Sequence, residues 1–169
     1  MQSISSLKRL TLTLVGGLVL TAISLGGTPG WLLSYDKAQE FAKKSGRPVL
    51  VNFTGSDWCG WCIKMKKDVL SKPEFIQYAS SNLILLELDF PQKTPQTAEL
   101  KAANEALKQR FKITGFPTFI LVDPNGKVLG RQVGYLQGGV EAFTDKITSW
   151  KGVTPAAAVP AEPAKAPTP

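Results

Sequence analysis

The sequence predicts an α/β fold, a three-layer sandwich with a central mixed β-sheet flanked by helices. Three observations carry that expectation. Two short apolar runs, "VLVNF" (Val49 to Phe53) and "LILLELDF" (Leu83 to Phe90), have the length and composition of buried strands. Segments with apolar residues at helical spacing lie before, between and after them. A third apolar run is broken by Asp123-Pro124-Asn125-Gly126, a turn sequence that makes it a hairpin. A helix between successive strands predicts parallel pairing, and the hairpin adds antiparallel strands.

In chain order, Ser34 is the expected N-cap of a first helix, with Tyr35, Ala38, Phe41 and Ala42 at helical spacing and Gly46 as its stop. The strand Val49 to Phe53 follows, then the polar turn Thr54-Gly55-Ser56-Asp57. A helix is expected from Cys59, with Ile63, Val69 and Leu70 on or near its apolar side, until Lys72-Pro73 interrupts it. "PEFIQYA" begins a further helical turn or two. After the second strand, "PQKTPQ" reads as a loop and Glu99 to Phe111 as a long helix, with Leu100, Ala103, Leu107 and Phe111 recurring at helical spacing. The hairpin strands are Thr118 to Val122 and Lys127 to Val133. A last amphipathic helix sets Val140, Phe143, Ile147 and Trp150 on one side.

The 169 residues suit one domain with extensions, and a hydrophobic content of 43% is enough for a core. Residues 1–24 read as an export signal peptide: Lys8 and Arg9 flank the apolar run Leu10 to Ile23, and the small residues Ala22, Ser24 and Gly26 suit cleavage. The run is shorter than the ~20 apolar residues of a spanning helix. An uncleaved N-terminal anchor is the alternative, and only that alternative brings contact with a membrane. The region lacks a cysteine to carry a lipid. The folded domain is expected over residues 31–152. Residues 153–169, rich in alanine and proline and without an aromatic residue, read as a disordered tail. The product is expected outside the cytosol, in a periplasm or similar compartment. The net charge of +7 is a modest basic excess with no nucleic-acid-binding module behind it, so no nucleic-acid partner is expected.

The chain has two cysteines, Cys59 and Cys62, and no histidine. A structural zinc site takes four Cys or His ligands, so no metal is expected. A disulfide across two intervening residues closes too small a loop to be an effective staple. A redox pair is the remaining reading. If Cys59 sits at the start of its helix, the unpaired N–H groups of the first turn stabilise its thiolate, and Cys62, three residues on, shares its face. Gly60 allows close approach of a partner. Lys66 and Lys67 lie about 10–12 Å along the helix and add little. Asp57 is nearer and opposes the thiolate by like charge.

At "VLVNF…DWCGWC" and "ITGFPTFILVDPNGKVLGRQVGYL" the sequence resembles the thioredoxin superfamily, over about Leu33 to Trp150. The resemblance implies the thioredoxin-like sandwich, Trp58 ahead of the first cysteine, and a cis-proline opposite the pair. Gly115-Phe116-Pro117-Thr118 matches that proline stretch, which gives the role to Pro117. Phe116 then offers its backbone to an extended substrate. Three departures stand out. Gly60-Trp61 replaces Gly-Pro between the cysteines, the "TGSD" loop is one residue longer, and Asn52 occupies the place of a buried acid that assists proton transfer. Asn cannot take a proton, so Asp57, Glu87 or water substitutes, or the chain works without that assistance. The loop and the following "CIKMKKDVLSKPEF" are similar to exported thioredoxin-like proteins related to the C-terminal domain of the transmembrane disulfide reductase.

The expected function is an exported thiol:disulfide oxidoreductase acting on protein cysteines, favoured as a reductase. Cys59 attacks and Cys62 resolves, and Trp58, Trp61, Phe116 and Pro117 form an apolar docking rim. No cofactor is expected beyond the Cys59–Cys62 disulfide. A reductase outside the cytosol needs electrons, which implies a membrane electron donor. The alternative is a non-catalytic binding module that docks partners on the same rim.

Overall fold

The computed structural model describes Thr28 and residues 30–152. The expected signal peptide and the Ala/Pro-rich tail lie outside the described residues. Helix α1 spans Tyr35–Ser45. Ser34 caps it by accepting the Lys37 N–H, and Gly46, at φ 71°, closes it with its N–H on the Ala42 carbonyl. A left-handed residue at that position is what glycine permits.

Strand β1 (Val49–Thr54) sits in the middle of a four-stranded sheet with β2 (Ile84–Asp89), β3 (Thr118–Val122) and β4 (Val128–Val133), in the order β2-β1-β3-β4. Its alternation divides the core. Val49, Val51 and Phe53 join Ile84, Leu86, Leu88, Ile120 and Val122 beneath α1 and the Phe111–Ile113 stretch. Leu50, Phe119 and Leu121 face the other way, toward Met65, Val69, Phe75 and Phe143. There, α2 (Gly60–Met65) runs into a π-helical turn (Lys66–Leu70) and is followed by α3 (Pro73–Asn82). Helix α5 (Gly139–Lys151) contributes Phe143, Ile147 and Trp150 to the same core. Gly130 on β4 is a fit requirement, because a Cβ there would lie 2.1 Å from the Trp150 ring.

Three expectations are corrected. The helix between the second and third strands, α4 (Ala98–Arg110), does not produce a parallel pair: β1 and β2 are parallel, but β3 lies antiparallel to β1 and does not border β2. The reason is in the register. Thr54 lies beside Asp89 and Phe53 beside Thr118, so β3 starts at the edge of the sheet where β1 and β2 end. The loops around α4 return the chain to the end it left, which delivers Pro117 to the end where β1 leads into the cysteines. Second, α4 buries Asn104 where the spacing favoured Ala103, which is exposed. The Asn104 Nδ2 donates to the Asp89 carbonyl at 2.9 Å, so a polar contact to the end of β2 sets the face of the helix. Third, Phe41 and Ile63 are each 49% exposed despite their apolar spacing. Periodicity identifies a helix face and not the element that covers it.

Candidate active site

The loop that follows β1 is built around Trp58. Gly55 is buried under its indole, and a Cβ at that position would sit 2.5 Å from the ring. The indole N–H donates to the Phe90 carbonyl at 2.7 Å, and the ring meets Phe116 edge-on at 5.8 Å. Phe116 also packs on Phe90, at 5.2 Å. Ser56 ties the loop to the end of β2, donating to Asp89 through its N–H and its hydroxyl.

Asp57 points into the neighbouring loop. Its carboxylate accepts the backbone N–H groups of Gln92, Lys93 and Thr94 at 2.8–2.9 Å. Those donors, Gln92 foremost, bring its carboxyl down to about 2 against the opposing effect of desolvation. The charge expected to weigh on Cys59 is therefore engaged by three amides, and the group acts as a clamp between two loops.

Cys59 is the N-cap of α2, with extended backbone (φ −83°, ψ 102°). Its Sγ accepts the Cys62 N–H at 3.2 Å, which directs a first-turn amide at the sulfur. The two cysteines form a disulfide with a Cα–Cα separation of 5.2 Å, and both are nearly buried, Cys62 more so. Gly60 has open space around it. Trp61 is 59% exposed and leans on Tyr135 at 5.6 Å. The Tyr135 hydroxyl donates to Asp68, which also pairs with Lys64. That pairing raises the Lys64 ammonium above its ordinary value and lowers the Asp68 carboxyl.

The Phe116–Pro117 peptide bond is cis, and Pro117 is buried. Pro117 and Cys62 line one small cavity together with Asn52 and Glu87. The structure thus brings Cys59, Cys62, Trp58, Phe116 and Pro117 to one end of the sheet, with Asn52 and Glu87 beneath and Asp57 turned aside. Sequence reasoning missed Thr28, whose hydroxyl lies 3.0–3.1 Å from both Glu87 carboxylate oxygens, and Lys66, whose ammonium reaches Thr28 at 3.1 Å. It also missed Gly55 and Asp89. Alternation along β2 places Asp89 on the face of Glu87, which was a usable signal, whereas a lone threonine ahead of the first helix offers none. Among the described residues no group of three or more His, Cys, Asp or Glu is placed to hold a metal ion. No helix among them is long and apolar enough to cross a membrane.

Comparison with known proteins gives a consistent picture. Residues 35–148 match the family model described as a thioredoxin-like domain. The disulfide bond reductase DsbH of Chlamydia pneumoniae is 43% identical over 116 residues, covering 69% of each chain. The thiol:disulfide interchange protein DsbD of Cronobacter sakazakii is 33% identical over 101 residues, which cover 56% of this chain and 16% of that protein. Among solved structures, the DsbH oxidoreductase superposes with a TM-score of 0.68 at 37% identity, covering 86% of this chain and 94% of that one.

Proposed function

The chain belongs to the thioredoxin-like domain family, and from that premise we propose that it is an exported thiol:disulfide oxidoreductase that reduces disulfides in protein substrates. One observation supports this most: Cys59 caps a helix with a first-turn N–H on its sulfur, and Cys62 lies behind it beside Pro117. In the reduced protein the Cys59 thiolate attacks a substrate disulfide and forms a mixed disulfide. Cys62 then attacks the Cys59 sulfur, and the substrate leaves with two thiols. Trp58, Trp61, Phe116 and Pro117 dock an extended segment of the partner, and the open space at Gly60 admits its backbone.

The reductive direction is supported by DsbH, a protein named as a disulfide bond reductase, and it calls for an electron donor in the membrane. Export through residues 1–24, a working domain over 31–152 and a spacer tail over 153–169 complete the proposal. The exposed aromatic rim also suits a docking module without turnover. Insulin reduction separates the two readings: the wild type reduces insulin and Cys59→Ser does not. Equal turnover by both proteins sinks the assignment, and a Cys59 that iodoacetamide cannot alkylate near neutral pH favours the docking module.

A further inference from the structure

At the β2 edge of the sheet, where α1 and α3 approach from opposite faces, runs an apolar groove of about 500 Å³. Trp31, Phe41, Ile76, Leu83 and Leu85 line it, and Arg47 is its charged member. Phe41 is 49% and Ile76 56% exposed, so two large apolar side chains on its wall stand half in water. A contiguous apolar patch of this kind marks a contact surface.

Helix α5 brings the chain to this groove. Its last turn is tied to the last turn of α3: the Tyr78 and Thr148 hydroxyls hydrogen-bond at 3.0 Å, and the Lys151 ammonium donates to the Asn82 carbonyl at 3.3 Å. On α3, Tyr78 and Asn82 lie on the side toward α5, and Ile76, Ser80 and Leu83 lie on the next side, toward the groove. The step between those sides is about a third of the way around the helix, roughly 10–12 Å. The sequence continues after Gly152 as "VTPAAAVPA", residues 153–161, which is apolar but for Thr154 and carries no charge before Glu162. Pro155 and Pro160 favour extended backbone at Thr154 and Val159. At ~3.1 Å per residue in polyproline II form, that stretch reaches roughly 28 Å, enough to round α3 and lie along the groove. The segment ahead of Thr28 meets the same groove, since Thr28 and Gly30 are on its wall. Removal of residues 1–24 leaves only Leu25, Gly26 and Gly27 there, with a single side chain of any size.

We propose that residues 153–161 fold back around α3 and occupy this groove, so that the chain covers its own apolar edge. The alanine and valine methyls and the proline rings meet Trp31, Phe41 and Ile76, in the way proline-rich segments meet aromatic-lined grooves. A polyproline II segment makes no internal hydrogen bonds, so its carbonyls need donors. Arg47 supplies them: one of its N–H groups holds the Ser80 carbonyl at 2.6 Å, and the guanidinium has further donors beside the groove. Because the segment is attached at Gly152, its effective concentration is on the order of mM, and a contact too weak to hold a separate peptide is populated. The charged remainder from Glu162 onward stays the spacer. The inference is independent of the exchange chemistry, in which neither the groove nor the segment takes part.

The test compares NMR spectra of the full chain and of the chain stopped after Gly152. Truncation is expected to shift the Ile76 δ1-methyl and Trp31 indole N–H signals. The full chain is expected to show NOEs from the Ile76 methyl to the methyls of residues 156–159. The double variant Val153→Asp, Val159→Asp leaves residues 28–152 unchanged, reproduces the truncated spectrum and carries the test if truncation disturbs folding. Insulin turnover stays at the full-chain rate in both altered forms. Identical Ile76 and Trp31 signals in the full chain, the truncated chain and the double variant overturn the proposal. Shifts that grow with protein concentration overturn it too, because they place a second copy in the groove. Signals that respond to removal of residues 1–24 and not of 153–161 give the groove to the N-terminal segment and overturn it as well.

Discussion

The front and the back of the cysteine pair are built on different principles. The front, toward the partner, is aromatic and exposed: Trp58 is 40% and Trp61 59% accessible. Two of its polar groups are tied down, the Trp58 N–H on the Phe90 carbonyl and the Asp57 carboxylate on three amides. The back is buried and holds two polar side chains among apolar ones: Asn52 has an oxygen without a partner among the described residues, and Glu87 is held by the backbone N–H and hydroxyl of Thr28. The two carboxylates make the contrast concrete. Asp57 has its charge spent on holding a loop, whereas Glu87 is held by Thr28 and lines a small cavity with Cys62.

Substitutions that load one side alone test this contrast. The largest effect is expected at Gly55, where an added Cβ meets the Trp58 ring at 2.5 Å. Gly55→Ala forces the indole off Phe116 and the Phe90 carbonyl, at about 1–3 kcal/mol of stability, the usual cost of overpacking. Urea denaturation reads that loss. Peptide-disulfide kinetics should then show a raised KM, with iodoacetamide alkylation of Cys59 near the wild-type rate. Equal losses in both assays would mean that front and back are one unit.

A smaller effect is expected at Asp57. Its folded value is lowered from 3.8 to about 2, so its contribution to stability is present above the higher value and is lost as pH falls toward the lower one. Asp57→Asn removes that contribution at neutral pH. The variant should therefore lose less stability than the wild type between about pH 4 and 2, as urea midpoints across that window will show. The smallest change belongs to Lys64→Ala. Its pairing with Asp68 is exposed to solvent, and its removal should leave both turnover and the urea midpoint at wild-type values.

What could be read from the sequence follows the same division. The front was legible because its parts are local or carry a motif: a strand, a polar turn, two cysteines at a helix start, and Gly115-Phe116-Pro117-Thr118. The strand spans and the layered α/β fold were legible for a similar reason, since short apolar runs and helical spacing are local patterns. The orientation of β3 was not, because the loops around α4 and not its periodicity decide which end of the sheet the chain reaches. The back was legible only in part. Asn52 and Glu87 entered through the family resemblance, one in the place of a buried acid and the other as its possible substitute. Thr28 did not, because its contacts to Glu87 and Lys66 join positions far apart in the chain and leave no local pattern. Phe41 and Ile63 fit helical patterns and still face solvent, since no element among the described residues covers them.

The division of labour between Cys59 and Cys62 is the claim on which both sides of the site depend. Its most direct test incubates Cys62→Ser and Cys59→Ser separately with a protein disulfide, quenches with acid and measures intact mass without reductant. The account predicts a mixed disulfide on Cys59 in the first variant and none in the second. An adduct of equal yield on Cys62 in the second variant, or no adduct in either, would contradict it.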